Sequence, residues 1–286
     1  MSTVPHAGEA SGVEAELFYL AADSRINRRY VAPGAELNTG HYEPHRVFIR
    51  NGRLVQSEFS LDTHGFVLAQ HRSAIADFHD RQEVDARYPQ EVVQIVQRLT
   101  GADLVVLLGS VLRSSGTTSA SVQPPASDVH VDMTEDRAHR LAATLYAQAR
   151  PGGPPFRRFI ASSLWRPFSA PPQDWPLTVC DGCSVDPAEG LPNVMVRVEQ
   201  LPDPLEIPVE LPEEASLPAA YVFTFNPRHR WWYFPDMTRE EVILLKFHDS
   251  DHSRAWRVPH TAFRDPHIHG APQRESIECR SVAFFC

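Results

Sequence analysis

The stretch Pro259–Phe285, PHTAFRDPHIHGAPQRESIECRSVAFF, closes on a segment from Arg274 to Phe285 whose alternation decides how the chain is read. On a strand, alternate side chains share a face, so Arg274, Ser276, Glu278 and Arg280 fall on one side and Ile277 and Cys279 on the other. Val282 and Phe284 continue the first side as apolar residues. A terminal strand of an ordinary sandwich turns one apolar row to the core. Four polar side chains in that row therefore either face water at a sheet edge or hold something polar.

Composition narrows the partners. The chain has 286 residues, 42% hydrophobic and 22% charged, enough for one large core. A formal charge of −9 argues against a nucleic-acid partner and against an anionic membrane surface, both of which call for a basic face. The expected partner is a small molecule; oligomeric state is not encoded legibly. No run approaches the ~18 consecutive apolar residues of a membrane span, and the first residues lack the basic start and apolar core of a signal peptide. A cytoplasmic location is expected. Four cysteines, Cys180, Cys183, Cys279 and Cys286, are too few for a disulfide framework, and the Cys180-x-x-Cys183 pair has no second pair or nearby histidine at zinc spacing.

One continuous domain over 1–286 is expected, with a flexible N-terminus over 1–16. In HRVFIRNGRLVQSEF, Asn51-Gly52 between apolar runs predicts a two-residue hairpin. A helical pattern runs from Ser73 to Leu99 with Gly101 as its stop, followed by a buried strand, DLVVLLGSV. Residues 113–128, rich in Ser, Thr, Gly and Pro, predict a mobile loop or lid. Thr134 can cap a helix to about Gln148, and RRFIASSLWRPF and PLTVC follow as strands. The Pro- and acid-rich segment 185–218 predicts a surface excursion, after which AAYVFTF and HRWWYF return to strand. Thr238-x-x-Glu241 fits a capping box opening a short helix, and RVPHTAF and RESIECRSVAFF are the last two strands. The 25 prolines favour many short strands over long helices.

His130-Val131-Asp132 offers two metal ligands at i and i+2, which an extended segment projects to one side. With 14 His and 17 Asp in the chain, roughly one His-x-Asp arises by chance, so the pair needs support. His260 supplies it: a distal histidine on a strand completes two imidazoles and a carboxylate on one face of an iron ion, leaving the other positions open. Fourteen residues on, Arg274 can fork a carboxylate and Ser276 can add a hydroxyl from the same strand face. Arg113-x-Ser115 fits the same tripeptide but precedes both histidines, and His248, at the end of an apolar run, is a rival to His260. His229, His252, His267 and His269 are further candidates, the last two in the loop before Arg274.

His-x-Asp, a distal His and a following Arg-x-Ser resemble the non-haem iron, 2-oxoglutarate-dependent oxygenases. More narrowly, TGADLVVLLGSVLR, VHVDMT, LWRPF, HRWWYFPDM, FHDSD, HTAF and QRESIECR, in this order from about Phe66 to Phe285, resemble the hydroxylase/desaturase family of secondary metabolism. That family includes gibberellin desaturase-like proteins and a component of cephem methoxylation. Ser163 stands where the family commonly has Asn, and His248 where it has Tyr. The resemblance implies a double-stranded β-helix, a distorted, cupin-like jelly roll with flanking helices. It implies Fe(2+), 2-oxoglutarate and O2 as cofactors, with His130, Asp132 and His260 as metal ligands and Arg274 and Ser276 on the remote carboxylate of 2-oxoglutarate. It also implies oxidation of a secondary-metabolite or amino-acid-like small molecule by hydroxylation, desaturation or cyclisation, with release of succinate and CO2.

Arg166, Arg113 and Trp232 are candidate substrate contacts: an arginine among aromatics, an arginine at the root of the expected lid, and an aromatic wall. A cupin-like isomerase or lyase without 2-oxoglutarate and a non-catalytic partner subunit are the alternatives. Arg274-x-Ser276 speaks against the first and the complete triad against the second.

Overall fold

The computed structural model describes residues 11–116, 118–119 and 121–286. In chain order the elements are β1 (Gly12–Leu20), β2 (Arg28–Ala32), β3 (Ala35–Asn38), β4 (Tyr42–Asn51), β5 (Phe66–Gln70), helix α1 (Arg81–Thr100), β6 (Leu104–Ser114), β7 (Val122–Gln123) and β8 (His130–Val131). Helix α2 (Glu135–Ala149) follows, then β9 (Arg158–Pro167), β10 (Leu177–Cys180), β11 (Leu191–Arg197), β12 (Ala219–Val222), β13 (Trp231–Tyr233), β14 (Glu241–Asp249), β15 (His260–Ala262) and β16 (Glu275–Phe285).

The strands form two sheets. The larger runs β1-β4-β13-β10-β15-β8-β12-β11-β2-β3, and the smaller runs β5-β14-β9-β16-β6-β7. Between them lies the main core, where Val179 of one sheet shares a cluster with Phe66, Phe159, Leu245, Val282 and Phe284 of the other; Leu17, Ile49 and Trp231 extend the cluster from the opposite face of the larger sheet. This is the double-stranded β-helix the motifs imply.

The smaller sheet is covered on its outer side too. Helix α1 lays Val84, Tyr88, Val92, Ile95 and Val96 over Leu164, Val242, Leu244, Ile277 and Cys279. With apolar helix on one side, β14 is buried along its whole length, and the alternation of β16 acquires its meaning: Ile277 and Cys279 meet the helix, and Ser276, Glu278 and Arg280 point between the sheets. Asp80 caps α1, its Oδ1 accepting from the backbone of Gln82 and Glu83 at 2.9 and 3.1 Å, and Gly101 ends it at φ 72°. In β6 a bulge falls opposite Arg280, where Gly109 takes φ 109°, a conformation open to glycine.

Several local expectations are corrected. Asn51-Gly52 makes no hairpin: Asn51 Oδ1 accepts from the Arg53 amide and a 3-10 turn, Gly52–Glu58, follows, because Gly52 packs against the Phe234 ring and Arg53 reaches Glu241. The helix expected from Ser73 starts at Arg81, where Asp80 supplies the cap. Glu241 closes back on the Thr238 amide at 3.0 Å as in a capping box, yet the turn opens β14 and no helix, since Arg53 and Gln70 draw the carboxylate onto the sheet. The excursion 185–218 contains β11, paired with β12 and β2; its Leu205 and Val209 are exposed. Of the N-terminus expected to be flexible, Gly12 to Glu16 belong to β1, paired with β4, and residues 1–10 lie outside the described residues. Among the described residues no helix is long and apolar enough to cross a membrane.

Candidate metal centre and co-substrate pocket

β8 and β15 lie side by side, with His130 directly opposite His260. Asp132, two residues after His130, projects to the same side. Nitrogen and oxygen atoms of His130, Asp132 and His260 all lie within 4.8 Å of one another, the group among the described residues that could hold a metal ion. Each imidazole is oriented from behind. His130 Nδ1 is 2.8 Å from the Asp128 carbonyl and His260 Nδ1 is 3.1 Å from the Val258 carbonyl. A carbonyl only accepts, so both Nδ1 atoms carry the proton and both Nε2 lone pairs are free for a metal.

Electrostatics agree with that chemistry. Burial, and next the neighbouring His130, push His260 down to about 4, so it is neutral at physiological pH. Burial alone would raise Asp132, but the Arg280 guanidinium, aided by the two neighbouring imidazoles, outweighs it and holds the carboxyl well below the usual range. Arg280 Nη2 stands 3.4 Å from Asp132 Oδ1 and 2.8 Å from Glu278 Oε1. Glu278 also accepts from Arg113, at 3.3 Å from Nε and 3.2 Å from Nη2.

The other half of the polar row is unsatisfied. Arg274 is 2% exposed; its Nη1 donates to the Trp175 carbonyl at 2.9 Å, and its Nε has no partner. Burial, then the nearby Arg113, lower its guanidinium to about 9. Its backbone amide is fixed by Ser115 Oγ and Asp174 Oδ1, each at 2.8 Å. The Ser276 hydroxyl is fully buried and has no partner either. A buried cation and a buried hydroxyl without an acceptor cost stability unless an anion fills the place. Arg274 shares a cavity with His130, His260, Trp165, Leu245 and Ser163, so that anion would sit beside the triad. The donors present thus suit a carboxylate co-substrate and a divalent iron.

The remaining candidates separate. Arg113 borders the cavity, tied to Glu278 and, through Nη1, to the Pro124 carbonyl at 2.9 Å. Arg166 does not reach it. Alternation on β9 points Ser163 and Trp165 inward and Arg166 outward, under α1, where Nε donates to the Tyr88 hydroxyl at 2.9 Å and Nη1 to the His71 carbonyl at 3.0 Å. Trp232 shares a sheet face with His260 through the register Trp232↔Val179↔His260, but its ring packs 5.1 Å from Phe59 and is not in the cavity wall; Trp165 is. The rival His248 is buried beside Phe159, His139 and Trp256, away from the triad. His267 and His269 do fall in the loop between β15 and β16. The sequence reading missed Ser163 and Leu245 in the cavity wall and the link from Arg280 to Asp132. For Arg280 the signal was its place in the alternating row; for the other two it was the β9–β14 pairing, which single-strand patterns do not show. The cysteines Cys180 and Cys183 are free, and the Cys183 thiol donates to the Thr63 carbonyl.

Residues 17–284 match the protein family described as "Oxidoreductase/YMDC permease-like domain". The chain is 30% identical to the Fe(II)/2-oxoglutarate-dependent dioxygenase nvfI of Aspergillus novofumigatus over 96% of its own length and 92% of the relative. It is 31% identical to the hydroxylase/desaturase efuI of Hormonema carpetanum, over 85% of each. Among solved structures, the iron and alpha-ketoglutarate-dependent endoperoxidase NvfI superposes with a TM-score of 0.78 at 27% identity, covering 96% of this chain and 98% of that one. With its jelly-roll fold and its His-Asp-His group, the chain belongs to the Fe(II)/2-oxoglutarate-dependent dioxygenases of the hydroxylase/desaturase family, enzymes that use Fe(2+), 2-oxoglutarate and O2 to oxidise small molecules.

Proposed function

We propose that His130, Asp132 and His260 bind the iron through two Nε2 atoms and one carboxylate, and that Arg274 and Ser276 hold the remote carboxylate of 2-oxoglutarate. The observation that carries this reading is the pair of buried, unpartnered groups at the start of β16, Arg274 Nε and Ser276 Oγ, of which Arg274 lines the cavity shared with both histidines. A fork and a hydroxyl side by side suit a carboxylate, and burial strengthens both contacts.

Iron bound there, with 2-oxoglutarate and oxygen, supplies the oxidising power to remove hydrogen from an unactivated carbon, as the co-substrate leaves as succinate and CO2. The chain's own part is positional. The Asp128 and Val258 carbonyls fix the imidazole tautomers, the Trp175 carbonyl aims Arg274, and Trp165 and Leu245 keep the cavity wall apolar. Whether the substrate is hydroxylated, desaturated or cyclised follows from how its carbon is held relative to the metal. The segment 113–128 serves as the lid: Val122–Gln123 pairs with Leu112–Arg113, and the Ala126 carbonyl accepts from the Ala262 amide at 2.8 Å, so both of its ends adjoin the pocket. Thr117 and Ala120 in it lie outside the described residues.

Anaerobic titration with iron(II) and then 2-oxoglutarate tests the reading. A visible charge-transfer band of the chelate, absent from Arg274→Ala at the same concentrations, is the expected result; an identical band in that variant would remove Arg274 from the co-substrate site.

A further inference from the structure

A second carboxylate stands close to the triad, and one nitrogen separates it from the first. Arg280 Nη2 is 2.8 Å from Glu278 Oε1 and 3.4 Å from Asp132 Oδ1. The two carboxylate oxygens can therefore be no farther apart than those distances end to end. Glu278 also borders the cavity that His130 and His260 line, and its charge acts on His260.

A carboxylate so placed is a hazard for this chemistry. Carboxylate oxygens are good ligands for first-row divalent metals, and a fourth protein ligand would occupy a position that the co-substrate or oxygen needs. Glu278 is restrained from two sides. Arg280 holds Oε1, and Arg113 holds both oxygens at 3.2 and 3.3 Å while its own Nη1 is anchored on the Pro124 carbonyl. Of these bonds the one from Arg280 is the shortest, and neither arginine can lose its charge at working pH.

We propose that Arg280, with Arg113, is a positioning residue that withholds Glu278 from the metal while orienting Asp132 toward it, so that this site keeps three protein ligands and open positions. The inference rests on the assignment of the triad as the iron site. It assigns the lower half of the polar row on β16 a purpose that simple charge balance does not: Glu278 is there to set Arg280, and Arg280 is there to hold the two acids apart.

The test uses the full chain under anaerobic conditions with iron(II) and 2-oxoglutarate as probes. Arg280→Met should still bind iron(II), through His130, Asp132, His260 and a Glu278 restrained by Arg113 alone, but its apparent Kd for 2-oxoglutarate, read from the chelate band, should rise by about tenfold or more. Adding Glu278→Gln to Arg280→Met should restore most of that affinity, because the amide is a poor ligand. A merely structural arginine would give no such rescue, since the second substitution removes a further bond. If Arg280→Met does not fold, Arg113→Met alone and with Glu278→Gln frees the same carboxylate from the other side, with the same rescue expected. Wild-type affinity for 2-oxoglutarate in the arginine variant, or no rescue in the double variant, overturns the proposal. A wild-type protein that binds iron and 2-oxoglutarate yet gives no band overturns the triad assignment beneath it.

Discussion

His130 and His260 face each other across neighbouring strands, 130 residues apart in sequence, with ring centroids 4.5 Å apart and each Nδ1 bonded to the carbonyl two residues before it. The same device on two strands presents two free Nε2 atoms to one point. His130→Ala, Asp132→Ala and His260→Ala should each abolish turnover and weaken iron(II) binding, whereas His248→Ala should bind iron as the wild type does. Equilibrium dialysis with iron(II) checks this; full occupancy in His260→Ala would displace that ligand.

Arg274 is buried and unpaired, so its loss should be felt by the co-substrate alone. Arg274→Ala should weaken 2-oxoglutarate by ~2–5 kcal/mol, as for one half of a buried charge pair. Ser276→Ala should cost roughly 0.5–3 kcal/mol, the cost of a hydrogen bond with a charged partner at the upper end. Arg274→Lys should recover part, since it keeps the charge and loses the fork. Iron affinity measured without 2-oxoglutarate should not change in any of the three; a parallel loss of iron would mean that the variants disturb the triad.

His248 is fully buried, neither ring nitrogen has a partner, and burial, then His139 and His252, push it down to about 3. The folded state therefore resists a proton that the unfolded chain accepts near 6.5. Stability from this residue is complete above that value and is lost as pH falls from about 6.5 toward 3, by up to ~1.4 kcal/mol per pH unit. His248→Phe should flatten the denaturation midpoint against pH over that window. Equal slopes in the two proteins would exclude His248 as the source of acid sensitivity.

Asp249 and Lys246 are both fully enclosed, 2.5 Å apart, and Asp249 also receives Arg158 Nε at 2.8 Å. Asp249→Ala strands a buried ammonium and should cost ~3–5 kcal/mol in urea denaturation, with the chelate band of the remaining folded protein unchanged. A cost below about 1 kcal/mol would show that Lys246 sheds its proton or finds water once its partner is gone.

For the lid, limited proteolysis between Ser114 and Asp128 should slow when 2-oxoglutarate and substrate are bound. Cleavage at one rate with and without them would leave the segment a plain connection.

The succession of many short strands along the chain, the stop of α1 at Gly101 and the His130-x-Asp132 pair were legible in the sequence because each rests on near neighbours. Period-two alternation sets which residues of β16 share a face, His-x-Asp puts two ligands on one side of an extended segment, and a left-handed glycine ends a helix wherever it occurs. What the sequence could not decide is where a face points and who stands opposite. Asn51-Gly52 has hairpin chemistry, but the Phe234 ring and Glu241, nearly 200 positions away, hold that turn in another form. Arg166 and Trp165 are neighbours in the chain, and only the covering of the smaller sheet by α1 sends one to Tyr88 and the other to the cavity. The polar row on β16 was visible from its spacing. That it splits into two buried groups without partners, Arg274 Nε and Ser276 Oγ, and a bridge from Glu278 through Arg280 to Asp132 follows from the packing of the two sheets, since contacts between distant segments exist only once the chain has closed on itself.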